Sequence, residues 1–381
     1  MAETEFINQA EALKDFVERI RGADWLAVDT EFIREETYWP ELCLIQIAAG
    51  DHLACIDPLA LKGEAMAPLK ALMLDPKVLK VFHAARQDLE VFHHEWGALP
   101  QPVFDTQVAA SMLGHGDQVG YANLVQSLCG VELAKGHTRT DWRARPLPEA
   151  AVEYAADDVR YLGPVYQQLQ QALKDSGRLT WLDEEFEQLT REALYLPDPA
   201  NAWKRVKGHR KLRPRQLAVL VALAEWREEE ALARNRPRRW IVKDQALVDL
   251  ARRPPVQVED MADMRDLPNA VREKHGRVLV ERAQSGIKAE PPAVSSRPDR
   301  LSAEEDATVD ALMALLRARC AEHDMSPAQV ATRKQLEALI QGERDLPFLK
   351  GWRGAMAGQS LLDLLEGRLS LTVHEGKLKT A

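Results

Sequence analysis

The segment Trp25–Phe32, with the sequence WLAVDTEF, joins a buried-strand pattern to two acids and constrains the fold more than any other segment. Its first residues are apolar and rich in β-formers, which predicts a core strand. Because side chains alternate along a strand, Asp29 and Glu31 project from the same face. Two neighbouring buried carboxylates repel each other, and a hard divalent cation is the usual solution. A strand that reaches the surface, with one acid capping the next element, explains the segment equally well.

Strand and helix patterns around this segment predict an α/β domain with a mixed sheet. We expect helices over 8–21, 65–73, 84–96 and 148–174, and strands over 25–32, 42–48, 52–56, 78–83 and 103–106. Gly50 and Asp51 give a turn signal, so the first three strands are predicted to form an antiparallel meander.

The later part of the chain is strongly helical and is divided by proline-containing stretches. Pro197 and Pro199 mark one predicted linker, and Pro291, Pro292 and Pro298 mark another. A chain of 381 residues is also too long for one typical core. We therefore predict three domains, an α/β domain followed by two all-α helical domains, over residues 1–196, 204–286 and 300–375.

The charge of the chain is distributed unevenly. Residues 1–200 carry 17 Lys and Arg against 33 Asp and Glu, whereas residues 203–253 carry 15 against 6. An acidic part joined to a basic segment suggests a cation site coupled to a surface that attracts polyanions. The four cysteines lack zinc-ligand spacing, and we find neither a signal peptide nor a membrane-length apolar run. We expect a cytoplasmic protein that does not enter a membrane.

Two further acids interrupt the apolar faces of predicted helices. Asp88 lies on the apolar face of helix 84–96, and Asp158 lies on that of helix 148–174, one turn after Tyr154. An ion pair with an arginine explains Asp88 alone, but one metal centre explains all four acids at once. Oxygen-only ligands favour Mg²⁺ or Mn²⁺ over zinc, and two such ions are typical of displacement at phosphorus. Tyr154 is placed to orient the attacking water.

Three motifs in order, Asp29-Thr-Glu31, His83-x4-Asp88 and Tyr154-x3-Asp158, resemble those of the DEDDy branch of the DnaQ-like exonucleases. The stretches CLIQI at 43–47, FDTQ at 104–107, HTRTDW at 137–142 and RPL at 145–147 are similar to the ribonuclease D family in particular. Residues 204–286 resemble an HRDC domain, and residues 300–375 resemble a second, diverged copy.

The resemblance implies a ribonuclease H-like fold and a two-metal 3′→5′ exonuclease site. Its catalytic residues would be Asp29, Glu31, Asp88, Tyr154 and Asp158, of which the four acids would bind the Mg²⁺ or Mn²⁺ ions. The implied function is an exoribonuclease that trims tRNA precursors and other structured RNAs and releases nucleoside 5′-monophosphates. A monomer is expected. A 3′→5′ DNA exonuclease and a non-catalytic RNA-binding module are the alternatives.

Basic residues in two places are candidate RNA contacts. The first set precedes the Tyr154 helix and the second opens the HRDC-like segment; they are Lys135, Arg139, Arg143 and Arg145, and Lys211, Arg213 and Arg215. Lys and Arg bind phosphates with little sequence specificity. A solvated basic loop explains the first set equally well, and a helical spacer with a solvated face remains an alternative for the HRDC-like segment.

Overall fold

A computed structural model describes residues 3–134, 140–293 and 301–381. These residues form two compact units, the first from residues 3–31, 42–134, 140–194 and 301–381 and the second from residues 32–41 and 195–293. The chain therefore leaves the first unit directly after Glu31 and returns to it at Leu42. Among the described residues, no helix has the length and apolar character needed to cross a membrane.

A six-stranded sheet forms the centre of the first unit within the described residues. Its strands are β1 (Thr4–Ile7), β2 (Trp25–Ile33), β3 (Glu41–Ala49), β4 (His52–Ile56), β5 (Leu79–Phe82) and β6 (Val103–Asp105). They lie in the order β1-β4-β3-β2-β5-β6. The pairs β1–β4, β2–β5 and β5–β6 are parallel, and β3–β4 is antiparallel. The predicted mixed sheet is confirmed, and its acid-bearing strand β2 lies inside the sheet.

Strand β1 was not predicted from the sequence. It has only four residues, and Phe6 within it is 38% exposed, so its pattern resembles that of a loop. Its partner is β4, far along the chain, and the pairing runs from Thr4 opposite Leu53 to Ile7 opposite Ile56. Long-range pairing of this kind leaves no local signal.

Helices surround this sheet, namely α1 (Ala10–Ile20), α2 (Ala67–Met73), α3 (Arg86–Trp96), α4 (Thr106–Ser111), α5 (Tyr121–Cys129), α6 (Glu149–Arg160), α7 (Leu162–Asp175) and α8 (Trp181–Leu189). The single helix predicted over 148–174 is wrong, because Tyr161 separates α6 from α7. Pro164 lacks the N–H that would bond to the carbonyl of Arg160, so the helix cannot continue. A Cβ on Gly163 would lie 2.3 Å from a ring carbon of Trp25, which requires glycine there.

The C-terminal residues of the first unit form α13 to α16 and a hairpin. Their bounds are α13 (Ala303–Ala321), α14 (Arg333–Ile340), α15 (Gly351–Arg353), α16 (Gln359–Leu365), β7 (Leu371–His374) and β8 (Lys377–Thr380). The hairpin was not expected in an all-α segment. This part packs on α8, where Trp352 stacks on Trp181 at 4.8 Å and Arg353 pairs with Glu185 at 2.5 Å.

The second unit is helical, as predicted, and contains α9 (Pro214–Ala233), α10 (Arg238–Ile241), α11 (Asp244–Arg252) and α12 (Asn269–Lys288). Tyr38, from the segment that follows β2, is buried in its core. The Tyr38 hydroxyl donates to the fully buried Glu228 at 2.5 Å and accepts from Arg238 at 2.8 Å. The short segment 32–41 is therefore anchored by a buried charge pair and an aromatic ring.

Candidate active site

Three acids from two elements meet at one place in the first unit. Asp29 and Glu31 project from β2, and Asp158 projects from α6. One carboxylate oxygen from each lies within 4.8 Å of the others. Carboxylate oxygens at this separation are close enough to bind one divalent cation together.

Asp88 is joined to this group through Thr30. The Thr30 hydroxyl donates to the Asp88 carboxylate at 2.5 Å, and both side chains are buried. Asp88 lies in the first turn of α3, so the preceding loop fixes its position. We refer to Asp29, Glu31, Asp88 and Asp158 as the acid cluster.

Among the described residues, burial and neighbouring carboxylates raise the pKa values of the acid cluster. Burial raises the pKa of Asp29 well above its usual value, and the charges of Asp88, Asp158 and Glu31 raise it further. Burial and the charges of Asp158 and Asp88 raise the pKa of Glu31 to about 8. Burial raises the pKa of Asp88 to about 7, and burial with the charge of Asp157 raises that of Asp158 to about 7. This electrostatic pattern is typical of functional carboxylates.

The loop before α3 holds Asp88 in place through Asp105. Ala84 has a positive φ of 59°, which costs an L-residue about 1–2 kcal/mol. The buried Asp105 carboxylate accepts the backbone N–H groups of Ala84 at 3.0 Å and Ala85 at 2.8 Å. It also caps α4 by accepting from the backbone N–H of Gln107. One carboxylate thus stabilises both the strained turn and the next helix.

His83 opens the second motif but bonds away from the acids. Its Nδ1 lies 2.9 Å from the Thr106 hydroxyl, and its Nε2 lies 3.0 Å from the carbonyl of Val119. Burial lowers the pKa of His83, although the charge of Asp105 opposes this. These contacts indicate that His83 stabilises the loop that precedes α3.

Tyr154 lies one turn before Asp158 on α6 and is partly buried. Burial raises its pKa, and the charges of Asp158, Glu31 and Asp29 raise it further. The phenol therefore keeps its proton at neutral pH and can donate a hydrogen bond beside the acid cluster. The motifs did not single out Tyr121, whose pKa is raised by burial and further by the charge of Asp158. Its hydroxyl donates to the carbonyl of Asp157.

Arg145, predicted as an RNA contact, is occupied by the protein itself. Its Nε and one terminal nitrogen bond the Asp57 carboxylate at 2.6 and 2.7 Å. Its remaining bonds go to the carbonyls of Cys43, Trp142 and Ala144, each at 2.8 Å. A guanidinium has five N–H donors, so these contacts use all of them. Arg145 attaches its loop to the sheet and has no donor left for a phosphate.

The other predicted RNA contacts lie at exposed positions or outside the described residues. Arg143 is exposed beside Asp141, at 3.8 Å. The basic residues at the start of α9 are exposed in the second unit; they are Lys211, Arg213 and Arg215. Lys135 and Arg139 lie outside the described residues.

Comparison with known proteins places these features in a family. Residues 4–174 match the model of a 3′-5′ exonuclease, and residues 216–282 match that of the HRDC domain. Ribonuclease D of Gluconacetobacter diazotrophicus is 43% identical over 378 residues, which is 98% of this chain and 95% of that protein. The chain belongs to the ribonuclease D family. It is an exoribonuclease of the ribonuclease D type, and divalent metal binding is implied by this exonuclease fold and its carboxylate group.

Two further relatives agree with this assignment. Ribonuclease D of Acidiphilium cryptum is 42% identical over 97% of this chain and 94% of that protein. The crystal structure of Escherichia coli RNase D, described as an exoribonuclease involved in structured RNA processing, superposes with a TM-score of 0.84. It is 33% identical and the match covers 96% of this chain and 99% of that one. The predicted family and fold class are therefore confirmed.

Proposed function

We propose that the chain trims the 3′ ends of tRNA precursors and other structured RNAs by two-metal hydrolysis and releases nucleoside 5′-monophosphates. The observation that carries this proposal is the meeting of Asp29, Glu31 and Asp158 within 4.8 Å. The involvement of the Escherichia coli relative in structured RNA processing supports the substrate class.

The acid cluster fits a pair of Mg²⁺ or Mn²⁺ ions. Its donors are all carboxylate oxygens, which hard divalent cations prefer. Burial and mutual repulsion of its carboxylates raise the pKa values of Asp29 and Glu31, and a bound cation would relieve that repulsion. Asp29, Glu31, Asp88 and Asp158 would hold the ions, which when bound supply Lewis-acid stabilisation of charge at phosphorus.

The protein side chains would supply positioning. Thr30 restricts the Asp88 carboxylate through its 2.5 Å hydrogen bond. Tyr154, protonated at neutral pH, would donate to the attacking water or to a phosphate oxygen. Fixed donors and acceptors of this kind lower the cost of reorganisation in the transition state.

The proposal also covers the domain bounds, the oligomeric state, the cellular location and the RNA contacts of the chain. We propose three domains over 1–196, 204–286 and 300–375, of which the first and the third contribute to one compact unit. We also propose a monomer that acts in the cytoplasm on tRNA precursors. Exposed basic residues would contact RNA phosphates; they are Arg143, Lys211, Arg213 and Arg215.

The substrate and products can be tested with matched nucleic acids. The substrates are a tRNA carrying a 3′ extension, the mature tRNA, and RNA and DNA oligonucleotides of one sequence. We expect the extension to be removed one nucleotide at a time in Mg²⁺, RNA to be preferred over DNA, and chromatography to show 5′-monophosphates. Internal cleavage, 3′-phosphate products, or faster hydrolysis of DNA would contradict the proposal.

A further inference from the structure

Among the described residues, Trp240 is the most exposed of the large hydrophobic aromatic side chains. It exposes 57% of its surface, whereas Trp203, the other tryptophan among the basic residues of this segment, is only 7% exposed. Trp203 therefore belongs to the core of the second unit, and its presence needs no ligand. Trp240 contributes little to a core, so a role at the surface is indicated.

Trp240 forms one wall of a basic pocket of about 340 Å³ within the second unit. The volume is at the lower end of the range for small-molecule sites. The pocket is lined by Arg234, Arg236, Trp240, Ile241, Ala270, Val271, Lys274 and His275. None of these described lining residues is acidic, so an anionic ligand is favoured over a cationic one.

The cations of the pocket are not equivalent. Arg234 pairs with Glu230 and is thereby neutralised. Arg236 places its guanidinium carbon 5.8 Å from the centre of the Trp240 ring, and Lys274 is exposed on the first turns of α12. A flat aromatic surface beside two exposed cations matches the two parts of a nucleotide, a base that stacks and a phosphate that carries charge.

We propose that this pocket binds one nucleotide of single-stranded RNA, with its base stacked on Trp240 and its phosphate held by Arg236 and Lys274. The site lies on the helical unit and shares no residue with the acid cluster. It rests on the proposed function, because RNA is the ligand that this function would bring to the protein. It also differs from the sequence-predicted contacts at the start of α9.

The test measures binding without hydrolysis. A fluorescein-labelled twelve-residue oligoadenylate is titrated with the full-length protein in EDTA, and anisotropy is recorded at several salt concentrations. Loss of base stacking in Trp240→Ala should weaken binding by about tenfold. Trp240→Phe, which keeps an aromatic face, should recover most of that loss, whereas Trp240→Leu should not.

Charge variants test the phosphate contact separately. Lys274→Gln and Arg236→Gln should each reduce the slope of log affinity against log salt by about 0.7. Arg265→Gln, an exposed cation of the same unit outside the pocket, is the matched control and should leave most of that slope in place. Thermal melts in circular dichroism verify that each variant folds.

The outcomes separate this site from the proposed function. Wild-type affinity in both Trp240→Ala and Lys274→Gln would overturn the pocket, even if wild-type protein hydrolyses RNA in Mg²⁺. An aromatic-dependent loss of binding would support the pocket, even if the wild-type protein failed to hydrolyse RNA. Equal losses in Trp240→Ala and Trp240→Phe, with both proteins folded, would also overturn the stacking contact.

Discussion

Asp29→Asn should make the metal-free protein more stable at pH 8 while it removes a metal ligand. The carboxylate of Asp29 lies within 4.8 Å of both Glu31 and Asp158. Two unit charges at that distance repel by about 3.5 kcal/mol when the effective dielectric constant is about 20. Neutralising Asp29 removes two such repulsions, which sets an upper limit of about 7 kcal/mol.

Proton uptake lowers that limit. Keeping a carboxyl with an ordinary pKa near 4 protonated at pH 8 costs about 5 kcal/mol. The reason is that pH 8 lies about four units above that pKa, and each unit costs about 1.4 kcal/mol. The wild-type cluster relieves its repulsion in this way, as the raised pKa values of Glu31, Asp88 and Asp158 indicate. We therefore expect Asp29→Asn to raise the free energy of unfolding at pH 8 by about 2–5 kcal/mol.

The pH dependence gives the sign of the effect. The folded cluster keeps protons that the unfolded chain releases above about pH 4. The free energy of unfolding of wild-type protein therefore falls as pH rises from about 4 through the folded pKa values of about 7 to 8. Near pH 5 the cluster is already protonated, so the gain in Asp29→Asn should be much smaller than at pH 8.

Urea unfolding in EDTA at pH 5 and pH 8 measures both quantities. Asp105→Asn is the matched control, because its carboxylate accepts several backbone N–H groups. An amide keeps one acceptor oxygen but places an NH₂ group where the second carboxylate oxygen accepts from Ala85, so this variant should lose about 1–3 kcal/mol. Added Mg²⁺ should stabilise wild-type protein more than Asp29→Asn. Equal or lower stability of Asp29→Asn at pH 8 would refute the claim that the acids of the cluster repel one another.

Three further changes test other contacts. Thr30→Val removes the hydrogen-bond donor to Asp88 and should lower metal affinity, measured by calorimetric titration, by about 10–100-fold. An unchanged metal affinity would contradict this role of Thr30. Arg145→Gln removes the ion-pair partner of the buried Asp57 and should cost about 3 kcal/mol in urea unfolding. Burial alone would raise the pKa of Asp57, but the hydrogen bond and charge of Arg145 lower it below its usual value. The stability lost in Arg145→Gln should therefore vanish as pH falls below about 4. Tyr154→Phe should slow single-turnover hydrolysis about tenfold or more without a matching loss of RNA binding.

Much of the first unit follows from local sequence patterns. Strands β2 to β6 were predicted because their apolar residues are consecutive and bounded by turn signals. The break at Tyr161 was missed because the apolar face runs on through α7, although Pro164 provided a signal. The C-terminal hairpin was missed as well, and Glu375 and Gly376, both with positive φ, occupy its turn. Residues at turns and helix breaks thus indicated element boundaries that the pattern of apolar residues did not show.

The acids of the site were easier to predict than its supporting contacts. An acid on an apolar face is anomalous in the sequence itself, which singled out Asp88 and Asp158. Thr30 is an ordinary strand residue, and its bond to Asp88 joins positions 58 residues apart. Arg145 was predicted to contact RNA because of its charge. Its partner Asp57 lies 88 residues away in the sequence, so the folded structure was needed to reveal the ion pair.

The most direct test of the acid cluster is single-turnover hydrolysis of 5′-end-labelled RNA by wild-type and Asp29→Ala protein in Mg²⁺. Circular dichroism and urea unfolding establish that both proteins are folded. We predict that wild-type protein shortens the RNA stepwise from its 3′ end and stops in EDTA. Asp29→Ala should be slower by at least about 100-fold. Trimming by folded Asp29→Ala at the wild-type rate would contradict the assignment of the site.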